Sequence, residues 1–376
     1  MTASLLLLLT LLQGSVPAQE DPFVRCTKCK NVGIRPCGEH AERDCDLEGN
    51  AVWCSMVGSC ATCGGTGWLE CPHCENPAVE ARLANRRAAI PDVAAEYAYF
   101  EKDLGRPLAL AATAHFVLLW DVERAKVDRK VLGRHELLHL YVDRLEHLYA
   151  DYVSLLGVAD REFRHRSRIL VWSNQQDHHD GALRYCHQAF QNGVRLLGMH
   201  PTYSVPAVPG LFPSDELLHR NIVHNATHLL LSHQEPIHWM GLTKGGWADE
   251  GLAHWFEERY FGICDNYCYQ EQDTNRDFKG GRWKPAVREM VQEEESPPLA
   301  GLFQENTDTL SLPQHSAAFS LVDYLMQLDG KKLNRLLKLL RKKVETRDAL
   351  PETFGLSTLE LEASWKEWVL ATYPTR

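Results

Sequence analysis

The chain has 376 residues, enough for one large domain and a smaller module. Its composition, 44% apolar and 24% charged, is that of an ordinary globular protein. A formal net charge of -10 argues against a general basic surface for wrapping nucleic acid.

The N-terminus carries an apolar run from Leu5 to Leu12, then Gly14-Ser15-Val16-Pro17-Ala18. The run is shorter than the roughly 20 apolar residues that span a bilayer. It fits the apolar region of a signal peptide (residues 1–18), with small residues Val16 and Ala18 placed for cleavage after Ala18. The segment before it lacks Lys and Arg, so a buried N-terminal helix or strand is the competing reading. No later stretch is long and apolar enough to be transmembrane, and the expected location is extracytoplasmic, periplasmic or secreted.

Residues 19–78 hold most of the cysteines: nine of the twelve lie between Cys26 and Cys74. Cys26-Thr27-Lys28-Cys29 is followed after seven residues by Cys37-Gly38-Glu39-His40, and Cys60-Ala61-Thr62-Cys63 after seven by Cys71-Pro72-His73-Cys74. The segment is thus an internal duplication of ligand pairs. Two residues between ligands let a tight turn aim both side chains at one ion, and four such donors close a tetrahedral zinc site. So short a segment has little core of its own, and metal would supply much of its folding free energy. Disulfides are the alternative that export permits.

Cys60 to Cys74, with its C-x-x-C-x-G-x-G pattern, resembles the zinc ribbon of DnaJ-type chaperones, and Cys26 to His40 resembles a degenerate copy. The resemblance implies that the first motif pairs with the fourth and the second with the third. One zinc would then be held by Cys26, Cys29, Cys71 and Cys74, and the other by Cys37, His40, Cys60 and Cys63. Cys45 and Cys54 are left over as a candidate disulfide. No J-domain accompanies the ribbon, so a structural or adhesive role is expected.

Residues 79–112 read as a helical linker, with Pro91 and Pro107 bounding a pattern that includes Val93, Tyr97 and Phe100. Arg82, Arg86 and Arg87 read as a solvated face. Further on, His115–Trp120 and Arg168–Trp172 are apolar, β-rich runs, hence strands. Gly133–Leu156 has helical spacing, Asp180–Phe190 is a helix candidate, and Val194–Tyr203 with Val205–Val208 suggest edge strands or a hairpin. From Ser214 onward the pattern is mostly helical. Residues 113–376 therefore predict an α+β domain, a mixed sheet followed by a helical half.

Ser214 can cap a helix whose first turn holds Asp215 and Glu216. Within it, His224 and His228 lie one turn apart on one face, a spacing that lets two imidazoles converge on zinc. Downstream comes Gly246-Trp247-Ala248-Asp249-Glu250-Gly251-Leu252-Ala253-His254. This resembles the third-ligand helix of gluzincin (peptidase MA-like) metallopeptidases, where a Trp precedes Glu-Gly. The resemblance implies a zincin-like fold in which His224, His228 and Glu250 hold one zinc, leaving a fourth position open. Asp249, the neighbour of a ligand, would orient it, and His315 resembles a family position that faces the cleft and stabilises an oxyanion. His254 lies one turn after Glu250 and would be near the metal.

One departure matters more than the match. The family's motif is His-Glu-x-x-His, and Asn225 stands where that Glu would be the general base. An amide has no accessible pKa for proton transfer, and losing a general base costs on the order of 10²–10⁴-fold in rate. The expectation is an exported zinc-binding, catalytically impaired metallopeptidase-like protein that binds or scaffolds a peptide or protein ligand. The alternative is an active zinc hydrolase using another base. Cys264 and Cys268 suggest a disulfide, with Cys186 single. The basic stretch Lys331–Lys343 reads as a solvated face over a core stripe of Leu333, Leu336, Leu337 and Leu340.

Overall fold

A computed structural model describes residues 26, 28–29, 33–39, 53–58, 60–65, 67–73, 77–106, 108–187, 193–267 and 278–375. The expected signal peptide, His40, Cys45, Cys74 and Cys268 lie outside the described residues. The fold is α+β, with a mixed sheet, a helical half, and cysteine clusters near the N-terminus.

In the cysteine-rich segment, β1 (Ile34–Pro36) pairs antiparallel with β3 (Trp68–Glu70). The duplication is visible in the backbone. Cys37 N donates to Gly67 O and Cys71 N to Gly33 O, both at 2.9 Å. Gly33 N donates to Cys29 Sγ and Gly67 N to Cys63 Sγ, both at 3.3 Å. Each turn needs positive φ (81° and 77°), which glycine adopts without penalty. The degenerate half therefore keeps its glycine at the position where the turn demands one.

Between these strands, β2 (Trp53–Cys54) pairs antiparallel with β4 (Ala109–Ala112) at the rim of a six-stranded sheet. The other members are β5 (Phe116–Trp120), β8 (Ser167–Trp172), β9 (Gly193–Arg195) and β10 (Thr202–Pro206), in the order β2-β4-β5-β8-β10-β9. The β5, β8 and β10 strands run parallel, and the remaining pairs are antiparallel. A separate hairpin joins β6 (Arg124–Val127) and β7 (Lys130–Gly133).

Alternation across the pleat explains the unbroken apolar runs. Ala109, Ala111, Phe116, Leu118, Trp120, Ile169 and Val171 join the large core on one face. Leu110, Ala112, Val117, Leu119, Leu170 and Trp172 join a second core on the other, with Trp53, Val93 and Phe100. A strand buried on both faces loses the alternating polar pattern. The second core draws on helix α1 (Pro77–Leu104), which runs through Pro91 rather than starting there. The first core draws on α2 (Arg134–Leu156).

The expected helix at Asp180–Phe190 is displaced. Here α3 (Gln175–Gly181) begins earlier, because the Asn174 side chain accepts from Asp177 N at 2.8 Å, and it continues as a π-helical turn, Ala182–Cys186. Also, β10 lies inside the sheet, and of the two strands it is β9 that forms an edge. The helical half comprises α4 (Asp215–His233), α5 (Gly246–Phe261), α6 (Trp283–Gln292), α7 (Leu299–Leu302), α8 (Leu312–Arg341), α9 (Thr346–Phe354) and α10 (Thr358–Thr372). Ser214 Oγ caps α4 by accepting from Leu217 N at 3.3 Å. In α8 the Leu333, Leu336, Leu337 and Leu340 stripe is buried while Lys331, Lys332 and Arg335 are exposed. Among the described residues, no helix is long and apolar enough to cross a membrane.

Candidate metal centre

The centre forms where α4, α5 and α8 meet. Trp247, fully buried, fixes the start of α5 by donating from Nε1 to Thr346 Oγ1 at 3.0 Å. Gly251 admits α8 closely, since a Cβ there would lie 2.6 Å from Ala318 O. This packing presents His224 and His228 from α4 to Glu250 and His254 from α5 and to His315 from α8, all at most 2% exposed.

Distances provide the first test of metal binding. His224 Nε2 and His228 Nε2 are 3.2 Å apart, and they lie 3.6 and 3.5 Å from the Glu250 carboxylate oxygens. A tetrahedral ion bound at about 2.0–2.1 Å requires donor–donor edges of roughly 3.3–3.4 Å. The three donors fall within 4.8 Å of one another and could hold a metal ion.

Hydrogen bonds provide the second. His228 Nδ1 lies 3.0 Å from Asp249 Oδ1, whose other oxygen accepts from Trp239 Nε1 at 2.8 Å and Thr307 Oγ1 at 3.1 Å. His224 Nδ1 and His254 Nδ1 both face Glu257 Oε2, at 3.2 and 3.4 Å. With Nδ1–H committed to carboxylates, each of these rings turns a bare Nε2 toward the centre, the arrangement in which metal-bound histidines are held. Glu257 Oε1 meanwhile accepts from Asp265 N, Asn266 N and Asn266 Nδ2 at 2.8, 3.2 and 2.7 Å.

Glu250 is the odd member. It is fully buried, and neither carboxylate oxygen has a hydrogen-bond partner. Burial pushes its pKa up, but His228, His224 and His315 around it hold it well below the usual carboxylate range. Burial also raises Glu257, yet its imidazole partners bring it down to about 2. Burial lowers His254 as well, to about 4, and so it is neutral near pH 7. A buried anion without a hydrogen bond is costly, and a cation in the cleft between Glu250 and the imidazoles removes that cost. The donor set fits the ion.

His254 and His315 belong to the same cluster. His254 Nε2 is 3.1 Å from His315 Nδ1 and 3.4 Å from Glu250 Oε2, and His315 Nδ1 is 3.7 Å from that oxygen. His315 is thus brought to the centre and is buried there. Asn225 donates from Nδ2 to Asn221 O at 2.9 Å, and its Oδ1 is buried without a hydrogen-bond partner. His233 points elsewhere, bonding Gly198 O at 2.8 Å.

Among the described residues, six cysteines gather in two groups of three, each of them part of a set that the DnaJ-type resemblance implied. Cys26, Cys29 and Cys71 form one group, and Cys37, Cys60 and Cys63 the other. Cys26 and Cys71 sulfurs are 3.7 Å apart, and Cys37 and Cys60 sulfurs 3.8 Å. Four thiolates about 2.3 Å from zinc have edges of roughly 3.8 Å, whereas a disulfide is about 2.05 Å long. Each described triad could hold a metal ion. Cys264 Sγ donates to His254 O at 3.4 Å.

Two points escaped the sequence analysis: the place of Glu257 behind the imidazoles and a second histidine pair. Glu257 stands a helical two-turn step beyond Glu250, on the face that also carries His254, and that periodicity was its signal. His135-Glu136-Leu137-Leu138-His139 holds a second His-x-x-x-His pair, hidden inside a helix recognised only by its leucines and tyrosines. No known protein-family profile matches the chain, and no curated protein matches it either.

Proposed function

We propose that the chain is an exported zinc-binding protein of gluzincin-like architecture, catalytically impaired and acting by binding or scaffolding a peptide or protein ligand. The observation that carries this reading is Glu250, a fully buried carboxylate without hydrogen bonds, faced by imidazoles oriented through their own carboxylates. Zinc suits two imidazoles and a carboxylate better than magnesium or calcium, which prefer oxygen donors. His224, His228 and Glu250 hold the ion, and Asp249 and Glu257 fix the rings.

When bound, zinc supplies Lewis acidity. Asn225 can neither take nor return a proton, and its amide is tied to the backbone of its own helix. Burial of all the donors further opposes access by a polypeptide substrate. The cysteine-rich segment, in this proposal, is a DnaJ-like ribbon holding two structural zinc ions.

Metal analysis of the full chain, beside His224→Ala, tests the centre: the variant should lose one equivalent, and an unchanged count overturns the proposal. A peptide-library assay of wild type and Asn225→Glu tests the impairment. Activity only in Asn225→Glu supports it, whereas wild-type turnover abolished by His224→Ala establishes the active hydrolase instead.

A further inference from the structure

We infer that Cys54, His135 and His139 form another metal site, one that clamps the cysteine-rich segment onto the sheet domain. It shares no residue with the centre between α4 and α5. The three side chains come from separate places: Cys54 ends β2, inside the cysteine-rich segment, and the histidines lie one turn apart near the start of α2. All are buried, at 2%, 3% and 5% exposure, and their donor atoms lie within 4.8 Å of one another.

The geometry is that of a ligand set. Cys54 Sγ is 3.6 Å from His135 Nε2. An ion about 2.3 Å from sulfur and about 2.0–2.1 Å from nitrogen, in tetrahedral array, gives an S–N edge of roughly 3.5 Å. The two rings are 4.8 Å apart and inclined by 68°, close to the 4.9 Å and 72° of His224 and His228. One thiolate and two imidazoles select a borderline-soft divalent ion of the zinc type over magnesium or calcium. Three protein donors leave one tetrahedral position for a fourth ligand.

Glu136, between the histidines, accepts from Gly133 N at 2.7 Å and so closes the start of α2. That oxygen is taken up in closing the helix start, and the site is assigned a structural use. Its use follows from the strand it holds. A strand of two residues makes few ladder bonds with β4, and a metal clip from residue 54 to residue 135 closes a long loop that those bonds alone hold weakly.

The test is the full chain loaded with cadmium-113. Sulfur-rich sites resonate furthest downfield and nitrogen–oxygen sites furthest upfield, so one sulfur with two nitrogens gives a signal between them. Its absence from the wild-type protein overturns the inference, whether or not any variant folds. Cys54→Val should lose one metal equivalent, and Cys54→His, which restores a ligand, should keep it. Equal metal content in folded wild type and Cys54→Val would show that the thiol only hydrogen-bonds His135.

Discussion

Helices α2 and α4 carry the same His-x-x-x-His spacing with nearly the same ring geometry, yet the residue after the first histidine has a different fate in each. In α2 that residue is Glu136, the letter a catalytic zinc helix has, and it caps the helix because the motif starts in the first turn. In α4 it is Asn225, placed in the middle of a helix with buried residues on all sides, where its amide bonds the preceding turn. The part that a residue at this motif position plays is set by where its helix begins. What singles out α4 is the company of its histidines: a buried Glu250 carboxylate facing them at 3.5–3.6 Å, with Asp249 and Glu257 behind the rings.

Removing a donor from α4 should give the largest effect. His224→Ala should lose its metal and, with metal at 100–1,000 times its Kd, about 3–4 kcal/mol of stability, read as denaturation midpoints with and without chelator. A midpoint indifferent to chelator in both proteins would reduce α4 to the level of an ordinary buried helix. Next comes Glu257→Gln, which touches no ion itself. It should weaken metal binding about 10–100-fold in a competition titration, while the equivalent sensitive to Cys54 substitution stays.

The joint between the two helices offers a pH test. On α4, His219 packs edge-on against Phe261 at 5.0 Å and Tyr141 of α2 at 6.0 Å. Burial, then the nearby Arg144 guanidinium, lower its pKa from 6.5 to about 3. The unfolded chain therefore takes up a proton that the folded one refuses. This stabilising contribution is complete above the unfolded value and is lost as pH falls toward the folded one. From pH 6.5 to 4.5 the loss amounts to about 2 kcal/mol. His219→Phe, which keeps the ring contacts, should flatten the pH profile of the melting temperature in that window; a parallel profile refutes the assignment. The smallest effect belongs to Glu136→Ala, about 1 kcal/mol from a lost cap with metal content unchanged. Loss of metal in that variant would contradict the structural role given to Glu136.

Much of the sheet and centre was legible in the sequence. Phe116–Trp120 and Ser167–Trp172 announced themselves because both faces are buried, and α4 because Ser214 and two acids mark its start. His224, His228 and Glu250 were recognisable from spacing and context, and they converge. The rest was hidden for physical reasons. Ala109–Ala112 has weak strand character, and it is a strand because β2 and β5 flank it. Cys54 reads as one more cysteine in a crowded segment, although it sits in another sheet altogether. Glu257 is an ordinary acidic residue on a helix until the fold sets two imidazoles against it.

Glu257 also has a consequence beyond holding those rings. One of its oxygens serves the imidazoles of the centre, and the other anchors the amides of Asp265 and Asn266 in the turn after α5. Ion occupancy and the order of that turn are therefore linked thermodynamically: whatever factor the anchored turn adds to affinity for the ion, the ion returns to the turn. Asp265 is exposed and paired at 2.9 Å with Arg220 of α4. A protein ligand that captured Asp265 would shift the affinity of a buried ion it never contacts.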